Sequence, residues 1–191
     1  MTVYTVSMII GIAGTIGSGK GTVVEYLKAK GFSHYSSSAI LKDMIREQGL
    51  LETRENLSHL ADELMTKFPG GILHFSHLYA EQNDDENYIL EALHRVNEAT
   101  YVRSIGGLIL GIDADIQIRY ERISKRNEGQ KDKVTFEQFV IDADREDEGL
   151  TGSGPNIREV VKMADYTISN NGTLEELHVQ IEEILEKIKS R

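Results

Sequence analysis

"GIAGTIGSGKGT", residues 11–22, carries five glycines, one lysine and no acid. It fits the spacing G-x-x-x-x-G-K, with Gly14, Gly19 and Lys20 at the defining places. Glycines let consecutive backbone N–H groups turn inward onto phosphate oxygens. A helix that starts at the lysine adds the positive end of its dipole. Lys20 supplies a mobile point charge for β- and γ-phosphates. The flanks supply the required setting. "SMIIGIA" (7–13) is a continuous apolar run, expected of a strand covered on both faces. A helix is expected from Lys20 to Lys30, stopped by Gly31. Between a buried strand and a helix, this spacing reads as a phosphate cradle rather than as a glycine-rich turn.

The same alternation continues outward. "GLILGIDA" (107–114) is a second buried strand, and "FSHYS" (32–36), "NYILEAL" (87–93) and "DYTIS" (165–169) are weaker ones. Helices are expected between them. One runs from Ser38 to Gln48 and stops at Gly49, and another covers 54–68 under a Thr53 cap. "TFEQ" at 135 and "TLEE" at 173 are capping boxes, with Gln138 and Glu176 at the third helical position. Strands alternating with helices predict an α/β fold. The expected architecture is a five-stranded parallel sheet with helices on both faces and the site at the carboxyl ends of the strands. No repeat, low-complexity tract or linker divides residues 1–191, so one domain is expected.

Bulk composition narrows the function. With 40% apolar and 27% charged residues, the chain reads as soluble and globular. Lys plus Arg is 21 and Asp plus Glu is 31, so the net charge is 21 − 31 = −10. That balance opposes non-specific binding to nucleic acid or anionic lipid. Any bound phosphate needs a local positive site. Cysteine is absent, which excludes disulfides and Cys-based metal sites. "MTVYTVSMIIGIAG" lacks a basic leader, and its apolar run is too short for a membrane span. A cytoplasmic protein with small-molecule partners is expected.

One detail directs the reading further. Gly21 follows Lys20 where a Ser or Thr for Mg²⁺ is usual, and Thr22 comes one place later. The form G-x-x-G-x-G-K-G-T resembles the P-loop kinases of the adenylate kinase and nucleoside monophosphate kinase group, with Ile16 at their usual proline. The resemblance touches most of the chain. "YSSSAILKDMIREQGLLETRENLSHLADEL" (35–64) resembles the acceptor-side segment of dephospho-CoA kinase-like and deoxynucleoside monophosphate kinase-like proteins. "YILEALHRVNEATYV" (88–102) resembles their strand ending in Asp-Gly-x-Arg, "GIDADIQIRYERISKR" (111–126) their strand and lid helix, and "ADYTISNNGTLEEL" (164–177) their closing strand and helix.

The resemblance implies a three-layer P-loop fold with a short lid at about 119–150 and an acceptor segment at about 35–80. It implies ATP as phosphoryl donor, held by Gly14, Thr15, Ile16, Gly17, Ser18, Gly19, Lys20, Gly21 and Thr22, with Mg²⁺ near Thr22 and Glu91. Arg119, Arg122 and Arg126 share a helical face by their i, i+3, i+7 spacing. Arg122 and Arg126 match the lid's R-x-x-x-R. There the first arginine lies on adenine and the second reaches phosphates, which makes both catalytic candidates with Lys20. Ser37, Ser38, Lys42, His94 and Arg95 are the acceptor-side candidates. Ser38 reads equally as a helix N-cap. His94 stands at the family's arginine, and Ala39 and Lys42 at its expected Asp and Arg. The expected acceptor is a nucleoside or deoxynucleoside monophosphate. Dephospho-CoA kinase is the alternative enzyme, and a nucleotide-binding regulator with little kinase activity is the alternative of another class. Arg145 fits a lid contact or a surface ion pair equally. His74 and His77, at i, i+3, read as core or surface histidines before metal ligands.

Overall fold

The computed structural model describes residues 7–126, 135–148 and 156–190. Five strands form one parallel sheet: β1 (Met8–Gly14), β2 (Ser33–His34), β3 (Asn87–Leu93), β4 (Leu108–Asp113) and β5 (Tyr166–Ser169), in the spatial order β2-β3-β1-β4-β5. β1 is therefore central. Its neighbours are β3, which carries Glu91 near its carboxyl end, and β4, which ends in Asp113. Ile12 pairs with Glu91 on one side and Leu110 on the other, and Gly14 pairs with Ile112. The β1–β3 ladder shifts by one residue just after Glu91, so that Ala13 faces Leu93. Such bulges re-aim side chains at the end of a strand.

Helices cover both faces. On one, α1 (Lys20–Ala29) and α9 (Leu174–Lys189) bury Val23, Val24, Leu27, Leu177, Ile181 and Leu185 against Ile10, Ile12 and Ile112. On the other, α4 (Ile72–Gln82), α5 (Val96–Ser104) and α8 (Ile157–Lys162) bury Leu73, Ala99, Val102 and Val160 against Leu90 and Ile109. A third small core joins α2 (Ser37–Glu47), α3 (Arg54–Lys67) and α4 through Ile40, Ile45, Leu60, Leu64 and Ile72. The remaining helices are α6 (Ile116–Arg126) and α7 (Phe136–Glu148). No described helix is long and apolar enough to cross a membrane.

The sequence-level caps are present where their donors are local. Thr53 accepts from Asn56 N, and Thr173 and Glu176 form a complete capping box. Thr135 accepts from Gln138 N, while the Gln138 amide turns away to donate to Asp142. Two expectations need correction. The β2 segment pairs over only Ser33 and His34 rather than 32–36. The cap of α2 is Ser36, which accepts from Ala39 N, so Ser38 is inside the helix.

Candidate functional site

The loop between β1 and α1 is held by its own lysine and by distant residues. Lys20 Nζ donates to the carbonyls of Gly14 at 2.8 Å and Thr15 at 3.0 Å. Gly19 starts α1 in a left-handed conformation, φ +101°. A Cβ there would collide with the Asn170 amide. Gly17 has φ +78°, and a Cβ on it would lie 2.7 Å from the Arg119 carbonyl. Both positions need glycine for conformation and for space. Gly21 has no protein atom within 4 Å of its Cβ direction, so the protein itself sets no such requirement there. α1 begins at Lys20, and the amides of Thr22 and Val23 already donate to the Gly19 carbonyl that caps it, at 3.1 and 3.2 Å. Thr22 is exposed in that first turn.

Two residues that support the loop carry no signal in the motif. Asn170, just past β5, is 5% exposed and donates to the Ser18 carbonyl at 2.7 Å. Asp113, at the end of β4, accepts from the Thr15 hydroxyl at 3.1 Å and from Ala114 N at 2.9 Å. A polar residue closing each buried strand was the only hint of either in the sequence. Asn170→Ala leaves a buried carbonyl short of its best donor, at a cost of about 1–3 kcal/mol. We expect a lower urea midpoint and weaker binding of an ATP analogue. If both stay at wild-type values, the loop holds its shape without this tie.

The lid arginines divide. Arg122 reaches the same loop: Nη1 lies 3.5 Å from the Ser18 carbonyl and Nη2 3.4 Å from Asn170 Oδ1. Arg119, 5% exposed, lies over the Phe139 ring beneath Gly17 and is part of the packing between α6 and α7. Arg126 ends α6, and its side chain lies outside the described residues, as do 127–134 and 149–155 of the expected lid. Arg145 is 3.7 Å from Asp142, an exposed ion pair.

Beside the loop opens a cleft of about 510 Å³, lined by Ser37, Ser38, Glu91, His94, Arg95 and Glu98 together with Leu41, Ala61, Ile72 and Ile157. Ser37 ties the first turn of α2 to β3 by donating to the Glu91 carbonyl at 2.8 Å. The Glu91 carboxylate lies 3.2 Å from His34 Nε2. His34, then Lys20 and Lys28, hold its pKa below the usual value against the opposing effect of burial. Glu98 Oε2 accepts from the backbone N–H of both His94 and Arg95, at 2.7 and 3.0 Å. Burial raises its pKa, and these two bonds oppose the rise. Arg95 donates to Asp62 at 2.8 Å.

His94 is exposed along the cleft, yet enough protein crowds it to disfavour the charged ring. Crowding, then Lys20 and Arg95, pull its pKa down to about 4. His94 is therefore neutral at pH 7. Its NMR titration should show a midpoint well below the ordinary 6.5. A midpoint at or above 6.5 would mean that acids, not Lys20 and Arg95, dominate its surroundings.

Four of the five expected acceptor-side residues, Ser37, Ser38, His94 and Arg95, thus share the cleft. Lys42 does not. Ser38 and Leu41 are three residues apart and face the cleft, and Lys42, one step further round α2, is exposed outside it. His74 and His77 are core histidines, 3.2 Å from the Tyr101 hydroxyl and 2.6 Å from that of Tyr88.

The glycine-rich loop on the central strand, an acid on each flanking strand and a cleft to one side are thus brought together at the carboxyl end of the sheet. Residues 10–149 match the family model described as AAA domain. The chain belongs to that AAA domain family. The match runs from β1 through α7, so Asn170 lies beyond it. Over nearly its whole length this AAA domain chain is similar to UPF0200 protein MJ1399 of Methanocaldococcus jannaschii. The two are 28% identical over 185 residues, which is 95% of this chain and 90% of that one. Among solved structures the AAA domain chain is similar to TT1252 from Thermus thermophilus, with TM-score 0.62 and 18% identity over 96% of this chain and 98% of that one. It is also similar to dephospho-CoA kinase from Campylobacter jejuni, with TM-score 0.55 and 16% identity over 98% and 100%. At these identities the structures establish the fold, which is the P-loop kinase-like α/β fold expected from residues 11–22.

Proposed function

We propose that this protein transfers the γ-phosphoryl group of ATP to a small hydroxyl acceptor held in the cleft. One observation carries the reading. Glu91 lines the cleft and pairs with Ile12 of β1, the strand that runs into the glycine-rich loop, so one carboxylate would serve both donor and acceptor. Catalysis of this transfer is positioning plus neutralisation of charge. Lys20 leaves the Gly14 and Thr15 carbonyls for the β- and γ-phosphates, and the loop amides hold the donor. Arg122, already beside Ser18, covers the nucleotide, and Arg126 would serve the transferring group, as the family resemblance implies. Ser37 and Ser38 orient the acceptor hydroxyl.

Mg²⁺ fits the residues present. An ionised carboxylate beside a phosphate loop is the hard oxygen donor this ion takes, with phosphates and water completing its shell. Glu91, through water, and Thr22 would hold it, and it would supply charge neutralisation between β- and γ-phosphates.

The test is ADP production from ATP and Mg²⁺ across a panel of small hydroxyl compounds, nucleoside monophosphates and dephospho-CoA. Acceptor-dependent ADP release supports the reading. Tight ATP binding with no acceptor-dependent release from any member would instead favour a nucleotide-binding regulator.

A further inference from the structure

The charges of the cleft go further and describe the acceptor. A nucleoside monophosphate brings a phosphate of its own, which needs cations beyond those that serve ATP. Among the described residues the lining holds one guanidinium, Arg95, and that group already donates to Asp62 at 2.8 Å. Lys20, the other cation near His94, sits on the phosphate loop and is committed to the donor. His94 is neutral, and Lys42 is outside. Against these stand two acids in the lining itself, Glu91 and Glu98. The rest of the wall, Leu41, Ala61, Ile72 and Ile157, is apolar.

We propose that the acceptor is a hydroxyl compound with no phosphate of its own, whose uncharged body lies on Leu41, Ala61, Ile72 and Ile157 and whose hydroxyl meets Ser37, Ser38 and Glu91. The inference rests on the phosphotransferase reading above. In the reaction the acceptor oxygen forms a bond to the γ-phosphorus. The bond from that phosphorus to the β–γ bridging oxygen breaks, its electron pair leaves on ADP, and the hydroxyl proton is released to water. A phosphate on the acceptor would instead be placed beside Glu91 and Glu98, with Arg95 already tied to Asp62, a repulsive arrangement.

Matched probes that differ by one phosphate test this: adenosine with AMP, cytidine with CMP, thymidine with dTMP, and glycerol with glycerol 3-phosphate. The full chain is first saturated with Mg²⁺ and a non-hydrolysable ATP analogue, which keeps the probes off the donor site. Amide shifts of Ser37, Ser38, Ala61 and His94 are then followed by NMR. We expect at least one neutral probe to saturate these shifts, and each neutral member to bind about tenfold or more tightly than its phosphorylated partner. A phosphorylated member that binds as well as its neutral partner overturns the proposal, and so does a cleft that no neutral probe moves. Asp62→Asn, at an exposed position, unties Arg95. It should strengthen the phosphorylated members about threefold or more and leave the neutral ones within about twofold. An unchanged ratio would show that the paired guanidinium does not set the discrimination, and would overturn the proposal too. Failure of the phosphotransferase reading shows separately, as ATP and Mg²⁺ that yield no ADP with any probe the cleft binds.

Discussion

Lys20→Ala should cut turnover on the order of 10²–10³-fold or more, the scale for removing one directed charge from a transition state in a sheltered site. Charge on the bridging and γ-phosphate oxygens changes during transfer, and Lys20 is the loop's one mobile cation. The fold should survive. Lys20 is half-buried at the start of α1, and the substitution puts the best helix former at a helical position. The carbonyls of Gly14 and Thr15 lose a donor, which costs on the order of 1 kcal/mol each if water does not replace it. Steady-state ADP release and a urea melt on the same preparation separate the two effects. Near wild-type turnover in a folded variant would end the phosphotransferase reading.

Glu91→Gln should lower turnover on the order of 10²-fold and shift the Mg²⁺ dependence to higher concentration, because the amide keeps the shape and loses the charge. Binding of ATP without metal should stay within about threefold, since the loop that holds the phosphates is untouched. His34 loses its charged partner at 3.2 Å in this variant, and the pair is half-buried, so a modest loss of stability accompanies the change. Activity titrated with Mg²⁺ and metal-free ATP binding by calorimetry give the two halves of the result. An unchanged Mg²⁺ profile would place the metal on another carboxylate, and Asp113, which ends β4 beside Thr15, is the one to examine next.

The parts of the site that could be read in advance are those whose causes are local. Gly14, Gly19 and Lys20 announce themselves because a phosphate loop needs its residue types at fixed spacing on a continuous stretch. β1 and β4 were legible as apolar runs, and Thr53 and Thr173 as caps, because a cap accepts from an amide three residues on. Asn170 and Asp113 were not legible. Each acts on the loop across the sheet, and nothing near either in sequence names its partner. Ser36 was missed as the cap because three serines in a row offer three equivalent choices, and only the direction of the chain leaving β2 selects one. Lys42 was misplaced because a charge aligned with a family position says nothing about which side of α2 the cleft occupies. His34 drew no attention at all. It matters only because β2 lies beside β3, a neighbour relation that strand order decides and periodicity does not express.

The bond from Asn170 to Ser18 spans 152 residues. The twelve residues that spell the phosphate loop therefore do not finish its shape, and a ribosome that has made them has not yet made a binding site. The loop waits for the residue that follows β5, 152 positions further along, before its rear wall is in place. Nucleotide affinity is thus a property of the completed molecule. On the phosphotransferase reading proposed above, ATP would select that state over every partly assembled one and would hold the whole fold together through this loop. At a hundred times the dissociation constant, such selection adds about 2.7 kcal/mol.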